Sequence, residues 1–585
     1  MNELSLRRRV ANCLSAMALI AAVPVLLAAC GGGSGGSDAL TRMTSLGPIV
    51  GAADTTAGTY SWKGIPYANP PVGTLRWAPP QDPAPWTSPR TATAFGNACA
   101  QYGRIYGPGA NNQYDATIGT TLNTAVGSED CMYLNVWRPA SAEASLPIIV
   151  FLHGGSDVSG YTADPMYDGA SLAKNANAVV ITPNFRLGVF GFLNSPQLKV
   201  GDPQNDSGNF TMLDTMKALQ FIRANSLIFG GDPENVTVIG QSAGAINVWA
   251  LQTSPLMVAA SPRLFHRVMP MSGGISLATD LPPGSIPTLS PASTYLAQGN
   301  SLLQNLVIAD GLATDATSAT AYIATQTSAQ LATYMRSKTP TQIFTVLLTK
   351  LALLGLSGSG PIPDGTVVAS DPIASINAGN YMKIPVLASN ARDEGKLFPS
   401  FLPLVGGSGN ARIVTDAQLF ANHFSYNPNA APQTTVDQWI AASYLPVNAP
   451  VTGFTARAQA LNTVFFLASR DNVLNALKTQ QPNVFYYRFD WAQQPAPWND
   501  IYGAVHVIDL PFLFGNFGPS LFGNVWFSDA NKAGRVDLST AFQQSVSSFV
   551  RTGDPNNAAL GATWQTWPSK LVFDATLTAK SIHTE

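Results

Sequence analysis

Residues 229–245 read Phe-Gly-Gly-Asp-Pro-Glu-Asn-Val-Thr-Val-Ile-Gly-Gln-Ser-Ala-Gly-Ala, and no other run constrains the fold as strongly. The apolar stretch 236–239 suits a short buried strand, and the residues from Ala243 onward suit a helix. Gly240 and Gly244 leave room for a sharp turn between them, with Ser242 at its apex. A Gly-x-Ser-x-Gly turn of this kind lifts the serine hydroxyl to the sheet edge and sets a helix N-terminus behind it. The five-residue pattern is common by chance. Its weight comes from the strand before, the helix after and the partners downstream.

Other apolar runs recur at 146–152, 178–182, 268–271, 384–388 and 484–487, and several alternate with segments of helical period. In 210–222, Phe210, Leu213, Met216, Leu219 and Ile222 fall every third residue, which predicts one buried helix face. Strands alternating with helices predict a large, mostly parallel sheet flanked by helices, with ligands at the strands' C-terminal ends. Residues 275–382 break the rhythm and are rich in Ala, Thr, Ser and Leu, so a helical excursion over the active site is expected there. Within it, 343–356 is almost wholly apolar but too short to span a bilayer; it is a buried helix or the wall of an apolar pocket. With 11% charged residues and a net charge of −2, the chain offers no electrostatic case for nucleic acid.

Arg7, Arg8 and Arg9 precede an apolar stretch at 10–29, which ends Leu-Ala-Ala before Cys30 and a Gly/Ser tether. A basic start, an apolar middle and small residues at the cut describe a signal peptide. The Leu-Ala-Ala-Cys ending resembles a bacterial lipobox, whose cysteine is lipidated and becomes the mature N-terminus. An uncleaved membrane helix is the competing reading, but it leaves the cysteine and the flexible tether unexplained. The expected organisation is a lipoprotein signal at 1–29, lipidated Cys30 and tether at 30–42, and one catalytic domain at 43–585. Gly31 rather than Asp after the cysteine points to an outer-membrane anchor, with contact to the membrane through the N-terminal lipid only. Cys99 and Cys131 remain, and two cysteines in an exported chain most simply pair.

A serine hydroxyl needs a base, a group to orient that base, and donors for the oxyanion. Five histidines are available: His153, His266, His423, His506 and His583. His583 is near the terminus and His423 sits in a polar Asn/Pro stretch. His506 lies in a small-residue turn that runs into a strongly apolar segment, the setting of a histidine delivered on a loop to a sheet edge. After a strand–turn–helix serine the acid comes next in the chain and the histidine last. The run 384–388 leads into Ser389-Asn-Ala-Arg-Asp-Glu-Gly395, which offers Asp393 or Glu394; spacing does not choose between them. The Gly-rich turn His153-Gly154-Gly155-Ser156 can supply oxyanion donors beside Ala243, with His153 bracing the loop. No metal-ligand spacing is present, and no metal or cofactor is expected.

The ordered motifs Lys63-Gly-Ile-Pro-Tyr-Ala68, Ser128-Glu-Asp-Cys-Met-Tyr-Leu-Asn-Val-Trp137, Asn184-Phe-Arg-Leu-Gly188, Arg392-Asp-Glu-Gly395 and Thr552-Gly-Asp-Pro-Asn556 accompany the serine turn. On these the chain resembles the type-B carboxylesterase/cholinesterase family of α/β-hydrolases across 43–585. The resemblance implies an α/β-hydrolase fold, with Ser242 as nucleophile, Glu394 as acid and His506 as base. It implies oxyanion donors at Gly155, Ser156 and Ala243, a Cys99–Cys131 disulfide, and Ser272 as a supporting hydrogen-bonder near the acid. Arg76–Glu129 and Arg186–Asp214 would be structural ion pairs.

Three departures stand out. Ser156 replaces the usual third glycine and is followed by Asp157 where an apolar or aromatic residue is common. A carboxylate there would disfavour an oxyanion, so Asp157 is expected to turn away or be neutralised by hydrogen bonds. Gln241 stands where the family often has Glu, which removes a charge beside the serine. The loop between Cys99 and Cys131 has tyrosines but no tryptophan, so the aromatic platform for quaternary ammonium is absent. The expected function is therefore hydrolysis of neutral or apolar esters, small or polymeric, through an acyl-enzyme. Cleavage of amides, urethanes or xenobiotic esters by the same triad is the alternative, and a non-catalytic binding protein a weaker one.

Overall fold

The alternating apolar runs build one eleven-stranded sheet. The computed structural model describes residues 39–585; the signal segment, Cys30 and the tether up to residue 38 lie outside the described residues. In chain order the strands are β1 (Ala52–Asp54), β2 (Thr59–Pro66), β3 (Tyr133–Pro139), β4 (Leu146–Leu152), β5 (Val179–Pro183), β6 (Gly231–Gln241), β7 (Arg267–Met271), β8 (Val386–Ala391), β9 (Val484–Phe489), β10 (Leu571–Ala575) and β11 (Lys580–Thr584). Their spatial order is β11-β10-β9-β8-β7-β6-β4-β5-β3-β2-β1. Every pairing from β10 across to β5 is parallel, and the margins are antiparallel. This is an α/β-hydrolase sheet.

The two faces follow from the period of two along each strand. Ile148, Val150 and Leu152 of β4 enter one core, whereas Ile149 and Phe151 enter the other. Both sets are almost wholly buried, which is why β4 reads as a continuous apolar run. On the first face lie α1 (Phe210–Asn225) and α2 (Ala243–Thr253); on the second lies the long C-terminal helix Lys532–Thr552. Helix α1 is buried well beyond the single predicted face. Only Lys217, Gln220, Arg223 and Ala224 reach solvent appreciably.

The segment 275–382 is helical as expected, with Ala292–Ala309, Ala316–Ala324, Ser328–Arg336 and Pro340–Val346 as its main helices. The apolar run 343–356 is not one helix. It passes through a π-helical turn at Leu347–Leu351 and a 3-10 turn at Ala352–Leu354. Ile343, Phe344, Val346, Leu347 and Leu351 are buried, but Leu353 and Leu354 are exposed, and the run does not line the substrate-sized cavity. Among the described residues no helix is long and apolar enough to cross a membrane. A strand, Thr41–Thr44, already begins inside the stretch 30–42 expected to be tether.

Two buried ion pairs tie these parts together. Arg186 grips Asp214 of α1 through Nε and Nη2, at 2.8 and 2.6 Å. Arg76 grips Glu129 and also donates to the carbonyls of Arg336 and Lys338, linking the excursion to the Cys99 loop. Cys99 and Cys131 form a disulfide over a sequence separation of 32 residues. Closing a loop of that length restricts the unfolded chain and stabilises the fold by about 3–4 kcal/mol. Replacing both cysteines by serine should lower the unfolding free energy by about that amount in denaturant titration; an unchanged midpoint would show that the loop is held without the bridge.

Candidate active site

The turn at the end of β6 has the geometry its glycines predict. Ser242 stands at φ 59° and ψ −123°, a conformation that L-residues adopt only under constraint. A Cβ on Gly240 would lie 2.2 Å from the Gly244 carbonyl oxygen, and one on Gly244 would lie 2.2 Å from that of Leu152. No larger residue fits at either place. The Ser242 N–H donates to the Met271 carbonyl at 2.9 Å, which locks the turn to β7. Helix α2 begins at Ala243, so its first N–H groups point toward the serine.

His506 and Glu394 arrive on two loops at the C-terminal ends of β8 and β9. His506 Nδ1 donates to Glu394 Oε2, and both side chains are almost fully buried. The other carboxylate oxygen accepts from the Ala391 N–H at 2.7 Å and the Asn390 amide at 3.1 Å. Asp393, the alternative left open by spacing, faces elsewhere. It pairs with Arg392 at 2.9 Å and accepts from the Ala504 N–H at 2.9 Å and the Gln459 amide at 2.8 Å. Burial opposes its charge, but Arg392, Lys396 and these hydrogen bonds hold it below the usual carboxylate range. Asp393 thus clamps the histidine loop two residues before His506. Beyond the clamp Val507 takes φ 74°, rare for a β-branched residue.

The outer nitrogen of His506 faces Gln241, whose amide donates to Nε2 at 3.1 Å; the Ser242 hydroxyl is not hydrogen-bonded to it. Phe398 and Phe466 flank the ring with centroids at 5.1 and 5.2 Å. Phe466 belongs to a π-helical turn, Asn462–Leu467, that also carries Phe465 into the cavity. Ser272 sits nearby at φ 55°, but its hydroxyl is buried without a hydrogen-bond partner. The expected support to the acid is not made.

Opposite the serine, Gly155 (φ 102°), Ser156 (φ 57°) and Asp157 (φ 54°) make a left-handed run at the end of β4. Among the described residues the N–H groups of Gly155, Ser156 and Ala243 donate to no protein acceptor, and all three residues line the same cavity of about 420 Å³. His153 is buried, stacks on Phe185 at 4.5 Å and bonds the Gly154 carbonyl at 2.8 Å. Burial lowers its pKa to about 4, so it is a neutral brace. Asp157 does not turn away. It lines the cavity with one hydrogen bond, from Asn247 at 2.8 Å, and burial pushes its carboxyl up to about 6. Ser242, His506, Gln241, Ser156 and Asp157 are therefore gathered around one cavity, whose far wall is Leu397, Phe398, Phe401, Phe465 and Phe466.

Asp509 went unnoticed in the sequence, although it follows His506 by three residues. It is fully buried, accepts from the Tyr487 hydroxyl at 3.1 Å, and is raised to about 7 by burial and by the nearby Glu394 charge. His423 is likewise not the solvated residue its Asn/Pro neighbours imply. It is buried between Trp439 and Trp498, and bonded to Tyr502 at 2.6 Å. Among the described residues no group of three or more His, Cys, Asp or Glu could hold a metal ion.

The Asp509 shift makes stability depend on pH. An unfolded Asp releases its proton near pH 3.9, whereas the folded one keeps it to about 7, so the folded state binds more protons between those values. Stability from this group therefore falls as pH rises through that window. Asp509→Asn should gain stability relative to the native chain progressively from pH 4 to pH 7, on the order of 4 kcal/mol at most, and keep it above. Urea titrations at pH 5 and 8 check this; parallel curves for the two proteins would refute it.

The model of the carboxylesterase family matches residues 38–582. The para-nitrobenzyl esterase of Bacillus subtilis (strain 168) is 29% identical over 92% of this chain and 95% of its own length. The fumonisin B1 esterase of Sphingopyxis macrogoltabida is also 29% identical, over 90% and 84%. Among solved structures, a PNB esterase superposes with a TM-score of 0.67 at 25% identity, covering 93% of this chain and 97% of that one. The carboxylesterase EST55 of Geobacillus stearothermophilus at pH 6.2 gives 0.67 at 26%, covering 93% and 98%. A family match over nearly the whole chain, on the fold that carries the serine turn, establishes that this protein belongs to the carboxylesterase family of ester hydrolases.

Proposed function

We propose that the protein hydrolyses carboxylic esters through an acyl-enzyme on Ser242. The observation that carries this reading is the His506–Glu394 pair opening onto the same cavity as a serine held at φ 59°. Glu394 fixes the imidazole with its proton on Nδ1, which leaves Nε2 free to act as a base. When substrate enters, Nε2 exchanges the Gln241 amide for the serine hydroxyl and takes its proton as Oγ attacks the ester carbonyl. Negative charge develops on the carbonyl oxygen, and the free N–H groups of Gly155, Ser156 and Ala243 converge to receive it. The imidazolium then protonates the leaving alcohol. Water repeats the sequence and releases the acid.

The substrates in this reading are largely apolar esters, because the cavity wall beyond His506 is built from phenylalanines. The esterase names of the relatives support the same bond type. The N-terminal lipobox supports an exported enzyme anchored through lipid on Cys30, with the catalytic domain held off the membrane by the tether.

A series of p-nitrophenyl esters of increasing acyl length, run beside a matched amide and urethane, tests the chemistry. Turnover should rise from acetate to medium chains and fall by at least about a thousandfold in Ser242→Ala. Activity that survives this substitution would exclude Ser242 as nucleophile, and faster amide or urethane cleavage would reassign the scissile bond. Replacing Cys30 by Ser should move the full-length protein from the membrane fraction to the soluble one; retention in the membrane would rule out the lipid anchor.

A further inference from the structure

Asp157 makes the cavity polar on one side in a way that the esterase reading does not use. It follows the proposed oxyanion donor Ser156, and these two non-glycine residues share a left-handed conformation. Four hydrogen bonds hold the pair in that strained state. The N–H groups of Val158 and Ser159 donate to the Gly155 carbonyl at 3.1 Å, that of Gly188 to the Asp157 carbonyl at 2.6 Å, and Ser359 Oγ to the same oxygen at 3.2 Å.

The Asp157 residue is 2% exposed and lines the cavity containing Ser242. Oδ1 accepts from the buried Asn247 amide at 2.8 Å, one helical turn beyond the serine. Oδ2 accepts from no described residue, and no described cation pairs with the carboxylate. The Tyr295 hydroxyl, also without a protein partner, stands close by. A Cβ on Gly360, a residue of the cavity wall, would lie 3.5 Å from Tyr295 Oη and 3.9 Å from Asp157 Oδ2, so both oxygens border the space beside this glycine. Arg104 and Asp164 are the other charged residues on the cavity wall.

A desolvated carboxylate needs a partner with charge and hydrogen-bond donors. From this geometry we propose that Asp157 and Tyr295 form a subsite for a primary ammonium group, so that the enzyme prefers esters bearing one to their uncharged isosteres. The rest of such an ester lies against the phenylalanine wall. The N–H groups donate to Asp157 Oδ2 and Tyr295 Oη, and the ammonium charge offsets the carboxylate that would otherwise oppose the oxyanion beside it. A trimethylammonium group has no N–H to donate and fits the space beside Gly360 less well. This inference rests on ester hydrolysis at Ser242, and it differs from that reading in naming the substrate's charge.

The test compares kcat/KM for matched pairs: p-nitrophenyl ω-aminohexanoate against heptanoate for the acyl side, and ω-aminohexyl against heptyl butyrate for the alcohol side. A trimethylammonium analogue of each is run alongside. The native enzyme should favour the primary amine in one pair by about ten- to a hundredfold, the range of a charge-assisted hydrogen bond. Asp157→Asn, which tolerates the left-handed backbone, should abolish that ratio, and Tyr295→Phe should reduce it; thermal melts report that both remain folded. A native preference for the uncharged member of both pairs overturns the subsite, as does a ratio that Asp157→Asn leaves unchanged. Failure to cleave any of the neutral esters would instead overturn the esterase reading on which it rests.

Discussion

Gly244 approaches the Leu152 carbonyl so closely that no side chain can stand between them, and the rest of the site is arranged around that contact. It brings the start of α2 against the end of β4, the strand beside β6 in the sheet. The consequence is that two sources of free N–H groups, the helix start and the turn at Gly155 and Ser156, face each other across Ser242. A parallel sheet supplies this juxtaposition naturally, because its strands all release their chains at the same edge. Were β4 and β6 antiparallel, the two turns would lie at opposite ends of the sheet.

The same edge receives Glu394 and His506, but they are held by different means. Glu394 is secured by its own loop, through the Ala391 N–H and the Asn390 amide. The histidine loop is gripped from outside as well, by Asp393 through the Ala504 N–H. Adjacent carboxylates thus divide the work, one orienting the imidazole and one fixing the loop that carries it. Their environments keep them apart: Asp393 has Arg392 and Lys396 beside it, whereas Glu394 meets only neutral donors and the imidazole. Asp509, a third carboxyl beneath the pair, is held protonated toward neutral pH by burial and by Glu394, so a second negative charge is kept from the centre of the site.

Much of the architecture was legible in the chain because it is local. The apolar run of β4 coincides with its strand, and those of β5 to β9 fall on theirs with shifted ends. The marginal strands β1, β2, β3, β10 and β11 do not stand out as apolar runs. Apart from β10, which runs parallel to β9, they pair antiparallel, and β3 buries Asn135 and Arg138 among its apolar residues, which breaks the hydrophobic pattern. Asn135 is tolerated there because Thr162 and Thr182 accept its amide hydrogens, partners that no local reading of β3 reveals. His423 failed in the opposite sense. Its sequence neighbours are polar, but the tertiary fold encloses it in tryptophans.

What the sequence determined by itself is the serine turn, since a strand, two glycines and a helix start act over a few consecutive residues whose backbone sterics need no distant help. It also isolated the acid to two adjacent positions and the base to one histidine. Which carboxylate meets the imidazole was decided only in three dimensions, by a contact across 112 residues of chain. The same holds for the Gln241 amide on His506, across 265 residues, and for the direction in which Asp157 points. A side chain's orientation depends on what else fills the space around it. In a close-packed interior that space is filled from the whole chain, not from its neighbours in sequence.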